Sequence, residues 1–395
     1  MHSGARSAVI ASFLGWTLDA FDFFLVVLCM TSIGDTFHRS DTDMALSITL
    51  TLAFRPVGAF LFGMMADRYG RRLPLMIDLI FYSLVEVLTG LAPGYKSFLV
   101  LRALFGIGMG GEWGVGAALA MEHSPPKSRG IFSGLLQEGY AAGYLLAAVA
   151  YFLIFPRWGW RPLFFIGGLP ALLAIYVRLH VPESDVWKKS KHSNWKNWAT
   201  SIAINWKIML YITLLMAMMN FSSHGTQDLF PTFLKRDWKL PPKTVAVVTA
   251  ISMVGAICGG IFFGQLSDRL GRRRAMMTAL FLALLTIPLW AFSPKLPMLI
   301  AGGFVMQFMV QGAWGVVPAY LTELSPAPVR ATAPGLAYQL GGLVTSWNGK
   351  GQALAAERWG NYPAVLAITV LVVALSLAGF ASLGHEAKGR DMSEA

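Results

Sequence analysis

The segment Gly63-Met64-Met65-Ala66-Asp67-Arg68-Tyr69-Gly70-Arg71-Arg72 occurs a second time as Gly264-Gln265-Leu266-Ser267-Asp268-Arg269-Leu270-Gly271-Arg272-Arg273. Position 63 maps onto position 264, an offset of 201 residues. The same offset carries Trp113-Gly114 onto Trp314-Gly315. It also carries Glu122, Ser124-Pro125 and Arg129 onto Glu323, Ser325-Pro326 and Arg330. Four matches in one register without a gap make the chain two copies of one unit. Glycines in the segment permit a tight turn and close helix approach. Its acids and arginines suit a charge network that ties helix ends together and holds a gate shut.

The unit is built from membrane helices. The chain has 395 residues, of which 55% are hydrophobic and only 13% charged, with a mean hydropathy of +0.55. That is too little charge to cover a water-soluble surface. Cys29 and Cys258 both lie in apolar runs, so no disulfide framework is expected. The net charge of +11 does not argue for nucleic acid, because the lysines and arginines sit in short loops between apolar runs. A span needs about 20 apolar residues. Runs of that order fall near 8–33, 44–66, 74–92, 97–121, 131–155, 161–181, 207–234, 243–266, 275–293, 296–322, 332–356 and 361–383. The first run carries Asp19 and Asp22 and reads as a retained helix rather than a cleavable signal.

The expected fold is an all-α polytopic membrane protein of twelve transmembrane helices in two pseudo-symmetric six-helix bundles. These are residues 1–181 and 207–395, joined by a polar linker at 182–206 that carries Lys188, Lys189, Lys191 and Lys196. Parallel repeats place the pseudo-two-fold axis along the membrane normal. Lys and Arg are richer at the two termini and in the loops after the even-numbered helices, which puts that face and both termini on the cytoplasmic side.

The doubled Gly-x-x-x-Asp-Arg-x-Gly-Arg-Arg resembles the signature of the major facilitator superfamily, over the whole chain. The Glu122…Arg129 and Glu323…Arg330 pairs resemble the partners that latch this motif in sugar-porter-like members. The resemblance implies gating by Asp67, Arg71, Glu122, Arg129, Asp268, Arg272, Glu323 and Arg330.

Ionisable groups inside spanning helices are functional candidates. Asp19 and Asp22 are three apart, on one face of the first helix. In a low dielectric two such acids suit a proton carrier, although either could instead be a partner for Arg55. Arg102 and Glu112 on the fourth helix are about 15 Å apart, too far for a direct bond, so Arg102 needs another acid or a bound carboxylate. Glu138 lies on the fifth helix and Glu86 on the third, where no partner for it is evident. On the seventh helix Asn220, His224 and Asp228 are four apart, with Ser223 and Gln227 beside them. Asp228 can orient and charge the imidazole, and a charged imidazole can bind a carboxylate or pass a proton. Two ligands are too few for a metal site. The offset maps Asp19 onto Asn220 and Glu138 onto Gln339, so the acidic stripe of the first helix is expected to face the seventh across a central cavity.

The string Asn220-x-x-Ser223-His224-x-Thr226-Gln227-Asp228-x-x-x-Thr232 resembles a pattern of the sialate:proton symporter family, in its fungal lactate/pyruvate:proton symporter branch. Leu18-Asp19-Ala20-Phe21-Asp22, Gly110-Gly111-Glu112-Trp113 and Tyr338-Gln339 resemble it too. The resemblance implies that Arg102, Asn220, His224, Asp228 and Gln339 serve the transport of short monocarboxylates. The chain departs from the family in lacking long fungal termini. It also lacks the two extra helices that bacterial sialic acid members carry at the centre, which counts against sialate. The expected function is therefore a proton-coupled symporter of lactate or pyruvate. Arg102 would clamp the carboxylate, with Asn220, His224, Gln227, Asp228 and Gln339 lining the site. Asp19, Asp22, Glu112 or Glu138 would carry the proton. Sugar-acid symport and a non-transporting metabolite sensor are the alternatives. The expected partners are a small anionic carboxylate, protons and the lipid bilayer. The chain is expected to act as a monomer in the cytoplasmic membrane, with no cofactor beyond the co-transported proton and no enzymatic activity.

Overall fold

Backbone N–H and C=O groups in hydrocarbon must bond within their own segment, so apolar runs become helices. The computed structural model describes residues 3–189, 195–390 and 392, and its ordered elements are helical. In the first half they are α1 (Ser3–Phe37), α2 (Asp41–Tyr69), α3 (Arg72–Gly90), α4 (Tyr95–His123), α5 (Arg129–Gln137), α6 (Gly139–Trp158), α7 (Arg161–Ile166) and α8 (Pro170–His180). The centre forms α9 (Asp185–Lys189) and α10 (Trp195–Ile204). The second half holds α11 (Trp206–Gln227), α12 (Phe230–Arg236), α13 (Pro242–Leu270), α14 (Arg272–Ala291), α15 (Leu296–Gly315), α16 (Val317–Leu324), α17 (Thr332–Thr345), α18 (Asn348–Trp359) and α19 (Tyr362–Leu383).

Several spans are bent pairs. The breaks fall at Glu138 (α5/α6), Gly167–Leu169 (α7/α8), Asp228–Leu229 (α11/α12) and Val316 (α15/α16). Proline stands at the first or second position of α7, α8, α12 and α16, where its missing N–H costs no helical bond. Eleven elements among the described residues are long and apolar enough to cross a membrane. The expected span at 332–356 is instead two shorter helices, α17 and α18. The segment Ser346-Trp347-Asn348-Gly349-Lys350 is too polar and too glycine-containing to sustain one apolar helix. Counting this broken element, the chain makes the twelve crossings of the major facilitator architecture.

The central stretch is more ordered than a polar linker implies. Trp187 Nε1 donates to the Asp67 carbonyl at 3.0 Å. Trp198 on α10 donates to Thr332 Oγ1 at 3.4 Å and meets the Phe60 ring edge-on at 5.7 Å. The stretch therefore touches both halves. Residues 190–194, including Lys191, lie outside the described residues.

Candidate functional site

The repeated segment builds a latch between the halves. Gly70 and Gly271 have φ of +96° and +98°, a region that only glycine enters without strain. A Cβ on Gly70 would stand 2.2 Å from Glu183 Oε2, and one on Gly271 2.6 Å from Glu386 Oε2. The space is needed because each glutamate caps a helix start. Glu183 accepts from the Arg71 and Arg72 amides at 2.8 and 3.1 Å. Glu386 accepts from those of Arg272 and Arg273 at 2.8 and 3.2 Å. A carboxylate at a helix N-terminus satisfies otherwise orphaned donors and complements the dipole.

The motif aspartates do the same across the two halves. Asp67 accepts from the Ala331 and Thr332 amides at 2.9 and 3.0 Å, at the start of α17. Asp268 accepts from Gly130 and Ile131 at 2.7 and 3.1 Å, at the start of α5. Arg71 holds Asp67 at 2.9 Å and Glu122 at 2.8 Å. Arg272 holds both Asp268 and Glu323 at 2.9 Å. Burial alone would pull the Arg71 guanidinium down, but Glu122 and Asp67 beside it hold it above its ordinary value. The outer arginines cross over instead of pairing within their own halves. Arg129 reaches Glu323 at 2.8 Å, and Arg330 lies 4.0 Å from Glu122. All eight gating candidates thus meet on one face of the molecule.

Beyond the latch lies an aromatic floor. Tyr338 packs against Trp113, Trp314 and Trp16 with ring centroids 4.7, 5.6 and 6.1 Å apart. The repeat-related tryptophans therefore seal the centre. On the other side of this floor is a cavity of about 400 Å³ between the halves, a size that suits a small molecule.

The second half supplies its polar wall. Asn220, Ser223, His224, Thr226, Gln227 and Asp228 of the α11 region all line it. His224 Nδ1 and Asp228 Oδ1 are 3.1 Å apart, and these side chains are 46% and 35% exposed. A polar pair so open among membrane helices faces water in a cavity. Gln311 donates to Ser223 Oγ at 3.0 Å, Gln307 to Thr226 Oγ1 at 3.0 Å, and Gln227 to Gln307 Oε1 at 2.9 Å. Gln307 and Gln311 were not among the expected site residues. Two amides four apart in an apolar run are the signal the sequence offers for them.

The first half contributes Phe24, Val27, Gln137, Glu138, Tyr140 and Tyr144. Of the four expected proton carriers only Glu138 lines the cavity. Asp19, Asp22 and Glu112 are fully buried inside the first half, with no hydrogen-bond partner. The expectation that the acidic stripe looks across at α11 is therefore corrected. At about 100° per residue, Asp22 lies roughly 160° around α1 from Phe24, the residue that does face the cavity. Gln339 is also buried and off the lining, whereas its neighbour Tyr338 is on it.

Arg102 is likewise out of the cavity. Its Nη2 donates to Glu86 Oε2 at 2.5 Å and to Thr89 Oγ1 at 2.7 Å. Its guanidinium lies 4.6 Å from the Phe105 ring centroid. Glu86, which had no evident partner in the sequence, is thus the acid that Arg102 requires. A second buried arginine, Arg55, lies 5.6 Å over the ring of the cavity-lining Tyr338 and is bonded to its hydroxyl. Its Nε and Nη2 have no partner.

Residues 7–197 and 216–382 match the family model described as "Sugar (and other) transporter". The chain is 30% identical to the "Carboxylic acid transporter protein homolog" of Saccharomyces cerevisiae, over 96% of this chain and 68% of that one. It is 29% identical to the "Sialic acid transporter NanX" of Escherichia coli, over 98% and 95%. The coverage of NanX leaves no room there for two further helices. A short centre is therefore compatible with a sugar-acid transporter. The fold superimposes on the proton:xylose symporter XylE with a TM-score of 0.79 at 18% identity, over 99% and 98% of the two chains. With its doubled latch, its twelve crossings and a family match along most of its length, the chain belongs to the sugar (and other) transporter family of the major facilitator superfamily.

Proposed function

We propose that this chain is a proton-coupled symporter of small monocarboxylates such as lactate and pyruvate. It would work as a monomer by alternating access in the cytoplasmic membrane, with both termini inside. The observation that carries the reading is the His224–Asp228 pair, open to a cavity whose α11 and α15 groups are otherwise neutral amides and hydroxyls. A charged imidazole there donates to a carboxylate oxygen. Asn220, Gln227 and Gln311 stand beside it for a hydroxyl or keto oxygen. Arg55, behind Tyr338 with unpartnered N–H groups, supplies the second cation at the floor. Arg102 serves as a clamp only if it leaves Glu86.

In this reading Glu138, on the cavity lining, receives a proton beside the substrate, while Asp19, Asp22 and Glu112 hold theirs inside the first half. A proton bound with the anion lets both cross together without net charge in the membrane. The latch then opens as the two halves rock about the site. In proteoliposomes, labelled lactate is expected to accumulate when the outside is acidic and to equilibrate without a gradient. Equal uptake with and without the gradient would remove proton coupling. The kinship with NanX keeps a sugar acid as the second reading. Inhibition of lactate uptake by sialate, with sialate itself accumulating, would favour it.

A further inference from the structure

Arg102, Glu86 and Asp22 form a three-residue group that lies outside the cavity and joins three helices. Arg102 on α4 pairs with Glu86 on α3. Asp22 on α1 closes the group through Gly167. A Cβ on that glycine would stand 2.4 Å from Glu86 Cγ and 2.6 Å from Asp22 Oδ1, so the two side chains both approach the space beside this one small residue. The charges that act on Asp22 are, in order, Glu86, Asp19 and Arg102. Both Asp22 oxygens, Glu86 Oε1, and Arg102 Nε and Nη1 are buried without partners. Three aromatic rings, Phe98, Phe105 and Phe164, surround the guanidinium at 4.6 to 5.8 Å, so the group is held in an apolar shell.

We propose that Glu86 is a positioning residue for coupling: it competes with Asp22 for Arg102, and one proton passes between the two carboxylates as the guanidinium changes partner. The inference rests on the proton-coupled reading above. The structure has Arg102 on Glu86, and in that arrangement the proposed place of the proton is Asp22. In the exchanged arrangement the O–H bond of Asp22 breaks, an O–H bond forms on Glu86, and Arg102 swings to Asp22. Each arrangement holds one cation, one anion and one neutral acid, so no unpaired charge appears in the low-dielectric interior. Mechanically, the exchange unties α3 from α4 and ties α1 to α4. The other groups that face them are Asp19 on α1, Arg55 on α2, Asp78 and Tyr82 on α3, and Glu112 on α4. Arg55 acts on Asp19, and Asp19 and Glu112 act on both Asp78 and Tyr82. None of these groups gains or loses a proton in the exchange, and Asp19, which interacts with both Glu86 and Asp22, faces one anion before and after it.

The test uses the full chain in proteoliposomes and reads two quantities: gradient-driven accumulation of labelled lactate, and lactate–lactate exchange without a gradient. Glu86→Gln leaves Arg102 to Asp22 alone. Accumulation is expected to fall by at least about tenfold while exchange stays within about threefold of wild type. The conservative variants Glu86→Asp and Asp22→Glu keep every charge and serve if the glutamine variant does not fold. They are expected to move the pH midpoint of accumulation in opposite directions, because each alters the reach of one competitor. A Glu86→Asp profile that overlays wild type, or a Glu86→Gln protein that accumulates normally, would overturn the proposal. If wild type itself ignores the gradient, the symport reading and this proposal fail together; a coupled wild type with an unmoved Glu86→Asp profile removes only this one.

Discussion

Helices α1 and α11 hold equivalent places in the two halves, yet they treat their polar groups in opposite ways. Asp19 and Asp22 correspond by the 201-residue offset to Asn220 and Ser223. The two acids are sealed inside the first half, whereas Asn220 and Ser223 stand on the cavity wall. One copy of the unit keeps its acids buried, and the other turns its polar groups to the cavity. Pseudo-symmetry fixes depth along the membrane normal. The rotation of a helix about its own axis decides which neighbour a side chain meets, and a few apolar residues such as Phe24 and Val27 are enough to set it.

The sharpest way to break this contrast is Arg102→Leu. If Arg102 belongs with the buried acids, the change strands Glu86 as an unpaired buried acid and costs about 3–5 kcal/mol of stability. Thermal or denaturant unfolding would measure this. The folded fraction should keep its substrate affinity within about threefold, a difference of under about 1 kcal/mol. A stable variant with lost affinity would return Arg102 to the substrate.

The latch gives the next largest effects. Gly70→Ala forces a non-glycine residue to a φ of +96° and pushes on Glu183. It should cost about 1–3 kcal/mol and favour the unlatched state. Gly271→Ala should match it, because Glu386 repeats the cap. Cysteine labelling behind the latch would report both, and unequal effects would show that the two caps do not share the load.

On the open wall, Gln311→Leu removes one neutral hydrogen bond to Ser223. It should weaken substrate binding by about 0.5–1.5 kcal/mol, read by titration calorimetry. The smallest effect is expected at the exposed Lys188–Asp185 pair. Lys188 holds the Asp185 carboxyl below the usual range. A depressed carboxylate stabilises above its unfolded value, and that contribution is lost as pH falls through the folded one. Solvent screens the pair, so Lys188→Ala should change stability by less than about 0.5 kcal/mol at neutral pH, and by nothing in acid.

The repeat, the twelve crossings and the α11 stripe were all legible in the sequence, because spacing and offset carry them directly. The rotation of α1 was not, since Asp19 and Asp22 suit a cavity or a bundle interior equally well until a neighbour is known. The partner of Glu86 was hidden for the same reason: Arg102 is close only once α3 and α4 are packed. Glu183 and Glu386 escaped notice because their offset is 203 rather than 201, so the repeat does not align them. The break at 346–347 was readable from its Ser, Asn, Gly and Lys content, but the surrounding apolar residues masked it.

The division of labour between α1 and α11 is tested most directly by calorimetric titration of the detergent-solubilised protein with lactate, comparing His224→Gln with Asp22→Asn. Loss of binding by about tenfold or more in His224→Gln, with Asp22→Asn binding as wild type does, is the predicted result. Binding retained in His224→Gln and lost in Asp22→Asn would place the substrate with the buried acids of the first half and contradict it.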